Sequence, residues 1–255
     1  MHAPIELADI VADVFARIRS RAPRVHCITN SVAQQYTANM LLAAGAVPSM
    51  TLSSDEIGAF VTGADALLVN LGTFDAERKS AIGVALSAAA AHGVPWLLDP
   101  VFIERSPERA QFARDVVGRG PAVVRLNGAE FAALTGPELA VDAPARFARD
   151  HGTIVALTGA TDVVADGKRR TEIGNGHALM SRVTAMGCAG SALVCAALAV
   201  EADAYLATIA ALAAFGVAGE VAAQTAQGPG SFAFAIIDAL YNLDRAEIRA
   251  RLKAS

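Results

Sequence analysis

No basic run occurs anywhere in this sequence, and charge of either sign is sparse. Lys, Arg, Asp and Glu make up 18% of 255 residues, and the net charge is −4. Nucleic-acid binding is dominated by the neutralisation of phosphates by clustered cations, so that class of partner is excluded. Cysteine is scarce too. Cys27, Cys188 and Cys195 are an odd number in a long chain. That is no disulfide framework, and it fits a reducing cytoplasm. On one helix, Cys188 and Cys195 would stand roughly 10 Å apart along the axis, too far to bridge. The histidines (His2, His26, His92, His151 and His177) lack metal-ligand spacing such as HExxH. No apolar run reaches the roughly 18 residues of a membrane span. Met1 to Arg21 mixes acidic and basic residues, unlike a signal peptide. Neither a membrane nor secretion is expected.

What the chain does have is apolar bulk: hydrophobic residues are 54% of it, much of that alanine. This composition excludes disorder and is enough for a large core. Closely packed, alanine-rich helices also leave surface for other subunits, so a homo-oligomer is expected. The first segment, Glu6 to Arg21, places Leu7, Ile10, Val11, Val14, Phe15 and Ile18 on one helical face,. Glu6, Asp9 and Asp13 then form a solvated face.

Short apolar runs come next, at Val25–Thr29, Val47–Thr51, Ala66–Asn70, Val94–Leu98, Ala122–Leu126 and Ile154–Thr158. Several are unbroken, as expected of strands buried on both faces of a parallel sheet. Helical stretches alternate with them: 32–44, 55–62, 76–92, 107–117, 130–134 and 143–151. The order predicts an α/β fold with a mostly parallel central sheet flanked by helices on both faces. Asp162–Ala165, Asp166-Gly167 and Lys168–Ile173 read as a hairpin with a two-residue turn. Beyond Gly187 the chain reads as helical, with 189–200 and 204–219 as buried helices and a break at Gly228-Pro229-Gly230. No repeat, linker or low-complexity tract divides the chain, so residues 1–255 are expected to form one domain.

In open α/β sheets ligands bind beyond the carboxyl ends of the strands. Polar or turn residues stand there: Asn30, Asn70-Leu71-Gly72, Asp99-Pro100, Arg125-Leu126-Asn127 and Thr158-Gly159, with Met50 near the end of the second run. The stretch Ala185-Met186-Gly187-Cys188 precedes a long apolar helix. Small residues at a helix start let backbone N–H groups approach an anion, or simply let the helix pack closely on a sheet. A helix N-terminus lowers a thiol pKa, so Cys188 reads either as a weak base or hydroxyl holder, or as a small buried hydrophobe. Asp99 reads as a ligand-site carboxylate or a helix cap. Glu130 reads as its partner in holding Mg²⁺ through waters, or as a dipole complement at a helix start. Arg125 suits phosphate oxygens. Thr158-Gly159 suits a nucleotide phosphate or an ordinary turn. Gly228-Pro229-Gly230-Ser231 reads as a loop against a base, or as a helix stop with Ser231 capping the next helix.

Taken in order, these segments resemble the hydroxyethylthiazole kinases of the ribokinase-like superfamily. The resemblance is carried by Val25-His26-Cys27-Ile28-Thr29-Asn30, Leu68-Val69-Asn70-Leu71-Gly72-Thr73, Leu98-Asp99-Pro100-Val101, Arg125 to Glu130, Leu157-Thr158-Gly159, Gly187-Cys188 and Gly228-Pro229-Gly230-Ser231-Phe232. It implies transfer of a phosphoryl group from ATP to the primary alcohol of 4-methyl-5-(2-hydroxyethyl)thiazole, a thiamine salvage step. Asn30, Val32, Met50 and Ala185 would then bind substrate, and Arg125 and Thr158 would bind ATP. Asp99 and Glu130 would serve Mg²⁺. Ala185, Met186, Gly187 and Cys188 would form an anion hole, with Cys188 as the catalytic group in a homotrimer. Two departures stand out. Ala185 and Met186 occupy a stretch where the family carries glycine, and alanine has poor access to left-handed backbone angles. Phe102 to Arg109 is a bulkier, charged stretch in place of a glycine-rich loop, which either reshapes the site or places Arg105 near a phosphate. Kinases for other small alcohols, such as a hydroxymethylpyrimidine, and a non-catalytic ATP or thiazole binder are the competing readings.

Overall fold

The computed structural model describes residues 4–136 and 141–255, so His2 lies outside the described residues. The strands are β1 (Arg24–Ile28), β2 (Val47–Ser49), β3 (Ala66–Asn70), β4 (Trp96–Asp99), β5 (Val123–Asn127), β6 (Ile154–Thr158), β7 (Asp162–Ala165) and β8 (Arg170–Ile173). They form a sheet in the order β2-β1-β3-β4-β5-β6-β7-β8. Neighbours from β2 through β6 pair in parallel, and β7 and β8 are antiparallel additions. The predicted mostly parallel α/β sheet is present.

Side chains alternate across a strand, and each face has its own helical layer. Val25, Cys27, Leu68, Leu97, Val123 and Ala156 face one side. They pack with α1 (Pro4–Arg21), α2 (Gln34–Ala44), α8 (Met186–Leu198), α9 (Ala204–Ala223), α10 (Pro229–Asn242) and α11 (Arg245–Arg251). Ile28, Leu67, Val69, Leu98, Val124 and Val155 face the other. There they meet α3 (Ile57–Thr62), α4 (Ala76–His92), α5 (Pro107–Val117), α6 (Gly128–Thr135) and α7 (Ala143–His151). Strands buried on both faces explain the unbroken apolar runs. Helices α8 and α9 are apolar around nearly their whole circumference because they are covered on nearly all sides,.

Several boundaries move. The apolar run at 204–219 extends into a 20-residue helix, which is long and apolar enough to cross a membrane. However, 78% of its most apolar window is buried in this fold, against α1, α8 and α10. Helix α2 begins at Gln34 rather than Val32 because the Asn30 side chain accepts the Val32 N–H (3.1 Å) and holds a turn there. The expected Asp166-Gly167 turn lies one residue later. Asp166 pairs with Arg169 (N to O, 3.2 Å) and Gly167 has φ +89°. The turn is therefore centred on Gly167-Lys168, with glycine first, as a type II′ turn requires. A Cβ at Gly167 would also lie 2.7 Å from that of Arg149. Ser231 is not a cap. It lies inside α10, accepting the Gln227 N–H and donating to the Gly228 carbonyl. Residues 253–255 pair alongside β8, with a bridge between Ile173 and Ala254.

Candidate active site

The carboxyl ends of β3, β4 and β5 meet the first turns of α8, where Asn70, Asp99, Arg125, Cys188 and Ser191 form one connected network. Asp99 ends β4 and is buried. Its Oδ2 accepts from Asn70 Nδ2 (2.7 Å) and from Ser191 Oγ (2.8 Å). The same Asn70 amide donates to Cys188 Sγ (3.3 Å). From β5, Arg125 Nη1 donates to the Gly187 carbonyl (3.0 Å) and to Ser191 Oγ (3.2 Å). Its Nε is buried without a partner among the described residues.

Burial raises the Asp99 carboxyl above its ordinary range, against the opposing pull of Arg125, Ser191 and Asn70. Glu130 is raised by burial and by the Asp99 charge, while backbone donors oppose this. Those donors are the N–H groups of Asn127 (2.8 Å) and Phe102 (3.1 Å). Glu130 thereby completes a capping box with Asn127, so the dipole-complement reading of Glu130 is realised in the fold.

At Cys188 the lowering expected of a helix N-terminus is not the dominant effect on the thiol. Burial and the nearby Asp99 charge outweigh the helix terminus and push the thiol up to about 12. The raised thiol favours the hydroxyl-holding and buried-hydrophobe readings of Cys188 over the weak-base one. All three cysteines are free and buried.

The Ala185 expectation is also corrected. Ala185 does adopt the left-handed conformation, at φ 70° and ψ −1°. It does so at a steric cost of roughly 1 kcal/mol for a residue carrying a Cβ. As the N-cap of α8 it offers no side-chain acceptor. Among the described residues, the first N–H groups of this 13-residue helix have no side-chain cap from its N-cap residue,.

A cavity of about 610 Å³ opens beside this terminus, lined by residues that include Arg125, Thr158, Asn175, His177, Met186 and Gly187. Thr158 and Arg125 thus share one cavity. Asn30, Val32 and Met50 lie outside its lining. Asn30 is nonetheless tied to the rim: a Cβ on Gly72 would lie 2.7 Å from Asn30 Cβ and 2.9 Å from Asn70 Oδ1, so only glycine fits there. Val32 is 70% exposed, and Met50 is half-buried against the α-helical layer. Arg105 pairs with Glu104 and points its charge there rather than into the Asp99 network.

Among the described residues no group of three or more His, Cys, Asp or Glu could hold a metal ion. The donor set present is smaller. The Asp99 hydrogen bonds recorded among the described residues fall on Oδ2, and Glu130 stands near enough to feel its charge. This suits an ion held through waters and substrate phosphates rather than in a protein cage.

Sequence reasoning did not single out Asn70 and Ser191 as the clamps on Asp99. Their positions carried a signal. Asn70 ends a buried strand, and Ser191 stands one helical turn beyond Cys188, on the same face.

A family model described as the hydroxyethylthiazole kinase family matches residues 15–246. The chain belongs to this family. A probable hydroxyethylthiazole kinase of Agrobacterium fabrum is 43% identical, over 93% of this chain and 91% of that relative. The hydroxyethylthiazole kinase of Granulibacter bethesdensis is also 43% identical, over 91% and 89%. The solved structure of a hydroxyethylthiazole kinase protein from Pyrococcus horikoshii OT3 superposes with a TM-score of 0.93. It has 37% identity and covers 97% of this chain and 98% of that one. A ribokinase-like superfamily protein from Enterococcus faecalis shares the fold at a TM-score of 0.69 and 12% identity, covering 93% and 95%. The chain is a kinase with a ribokinase-like fold.

Proposed function

We propose that this chain phosphorylates the primary alcohol of 4-methyl-5-(2-hydroxyethyl)thiazole with ATP, the salvage step toward thiamine. The observation that carries this reading is the uncapped N-terminus of α8, which opens on a cavity lined by Arg125 while Asp99 is tied to the same helix through Ser191. A new bond forms between the alcohol oxygen and the γ-phosphorus as the bond to the bridging oxygen of ADP breaks. The products are a phosphoester, ADP and a proton. Phosphoryl transfer needs positioning and charge stabilisation more than covalent help from the protein.

Each group has a place in that scheme. The backbone from Ala185 to Cys188 cradles the transferring phosphoryl group, where oriented N–H groups are effective. Arg125 and Thr158 hold the nucleotide phosphates. Asn30, Val32 and Met50 hold the thiazole. The Cys188 thiol orients the alcohol and is not its base. Mg²⁺, when bound through waters near Asp99 and Glu130, supplies charge neutralisation of the phosphates. We take residues 1–255 as one kinase domain that assembles as a homotrimer in the cytoplasm. The exposed Val32, Phe234 and Tyr241 support burial in an assembly,.

The test is a phosphate-transfer screen with Mg-ATP over thiazole, pyrimidine and pyridoxal alcohols. The thiazole is expected to turn over fastest. Phosphorylation of a pyrimidine with none of the thiazole rejects the substrate assignment, and binding of thiazole without turnover rejects the reaction.

A further inference from the structure

The Asn70 side chain has only one acceptable orientation, and that has a consequence for Cys188. Its Oδ1 accepts the Gly72 N–H at 2.9 Å. With Oδ1 so engaged, Nδ2 faces Asp99 Oδ2 at 2.7 Å and Cys188 Sγ at 3.3 Å. Turning the amide over would set its N–H₂ against the Gly72 donor and its oxygen against the Asp99 carboxylate. Both contacts would be repulsive, so the network itself fixes the assignment. One amide N–H₂ carries two donors, and both are used: one on the carboxylate, one on the sulfur. Asn70 is fully buried, so an unmet donor there would carry the full penalty of a buried polar group.

The sulfur thus receives a hydrogen bond from the sheet, and the thiol hydrogen is left to point elsewhere. Cys188 sits in the first turn of α8, whose N-terminus opens on the cavity. We infer that Asn70 is a positioning residue for the phosphoryl-transfer reaction: it fixes Cys188 and Asp99 relative to each other through a single amide. Ser191 holds the same Asp99 oxygen without touching the sulfur. The two residues therefore separate the carboxylate arm from the sulfur arm.

This inference rests on the proposal that Cys188 meets the substrate alcohol. Its test is a double-mutant cycle of Asn70→Asp with Cys188→Ala. Asn70→Asp keeps the shape but can donate at most once. Asn70→Ser serves as a second variant with a single donor should the first fail to fold. The single substitution is expected to lower kcat about tenfold while KM for the alcohol stays within about threefold, as for an interaction made mainly in the transition state. In the Cys188→Ala background the same substitution is expected to cost at least about fivefold less, because coupled residues are non-additive. The cycle of Ser191→Ala with Cys188→Ala is expected to be additive. An additive Asn70 cycle overturns the inference. So does equal coupling from Ser191, which would place the effect in the carboxylate or the helix. The cycle is run on whichever alcohol the wild-type protein phosphorylates fastest. A chain that prefers another alcohol therefore sinks the thiazole assignment and leaves the Asn70 test standing.

Discussion

Helices α6 and α8 both start at the rim of the sheet, yet their first turns are built in opposite ways. At α6 the chain satisfies itself. Asn127 Oδ1 accepts the N–H groups of Ala129 and Glu130, and Glu130 reaches back to the Asn127 N–H. At α8 a left-handed alanine stands where a capping side chain would be, and small residues dominate the turn after it. A capped terminus is finished as a structural element. An uncapped one keeps its donors and the positive end of its dipole for something outside the chain. The contrast teaches where the fold gives up local stability for a binding function.

The sharpest way to break the contrast is to give α8 a competing anion of its own. Ala185→Asp places a carboxylate at the α8 terminus, and aspartate tolerates left-handed angles better than most residues. kcat/KM for ATP should fall about a hundredfold or more, the scale of losing an oriented-donor site. Steady-state kinetics would check this, and a loss under threefold would contradict the role of the cradle.

The reverse experiment strips α6. Asn127→Ala should cost about 1 kcal/mol of stability, the usual value of a lost N-cap. It should lower kcat less than tenfold, because the Asn127 backbone N–H still holds Glu130. Urea unfolding and kinetics on the same preparation read both effects.

Smaller still, Ala185→Gly should relieve the left-handed strain and offset its extra unfolded-state entropy, for a net gain of roughly 0.5 kcal/mol. The urea midpoint should rise with an unchanged slope. A destabilised variant would mean that the alanine methyl is packed rather than strained.

The smallest expected effect is none. With burial pushing the Cys188 thiol up to about 12, it is expected to stay protonated from neutral pH to pH ~10. Over that range the kcat–pH profiles of the wild type and Cys188→Ala should differ in height but not in shape. An alkaline limb present only in the wild type would restore the thiolate base.

The same contrast explains what can be read from the sequence. The capping box at Asn127-Gly128-Ala129-Glu130 is local, and Glu130 is visible as a helix-start carboxylate. Asp99, Arg125 and Thr158 are visible because each ends, or nearly ends, an apolar run. The parallel sheet is legible from those unbroken runs. Long-range relations are not. Asn70 and Cys188 are 118 positions apart, and nothing in either segment announces that one amide joins them. The direction of the thiol shift depends on burial between a sheet and a helix, which local sequence does not report. The conformation of Ala185 escapes propensity, which disfavours the left-handed angle it adopts. The shifted hairpin turn has a tertiary cause as well: Gly167 packs against Arg149 of α7.

The alanine-rich pair α8 and α9 has one more effect, on the electric field at the rim. Their walls carry almost no ionic side chains, so little in that layer can reorient to damp a charge at the mouth of α8. In so unresponsive a medium, attraction between fixed dipoles and an incoming anion is stronger than in water. The apolar layer therefore works as an insulator, and the field of the helix end is directed toward the cavity that Met186 and Gly187 line.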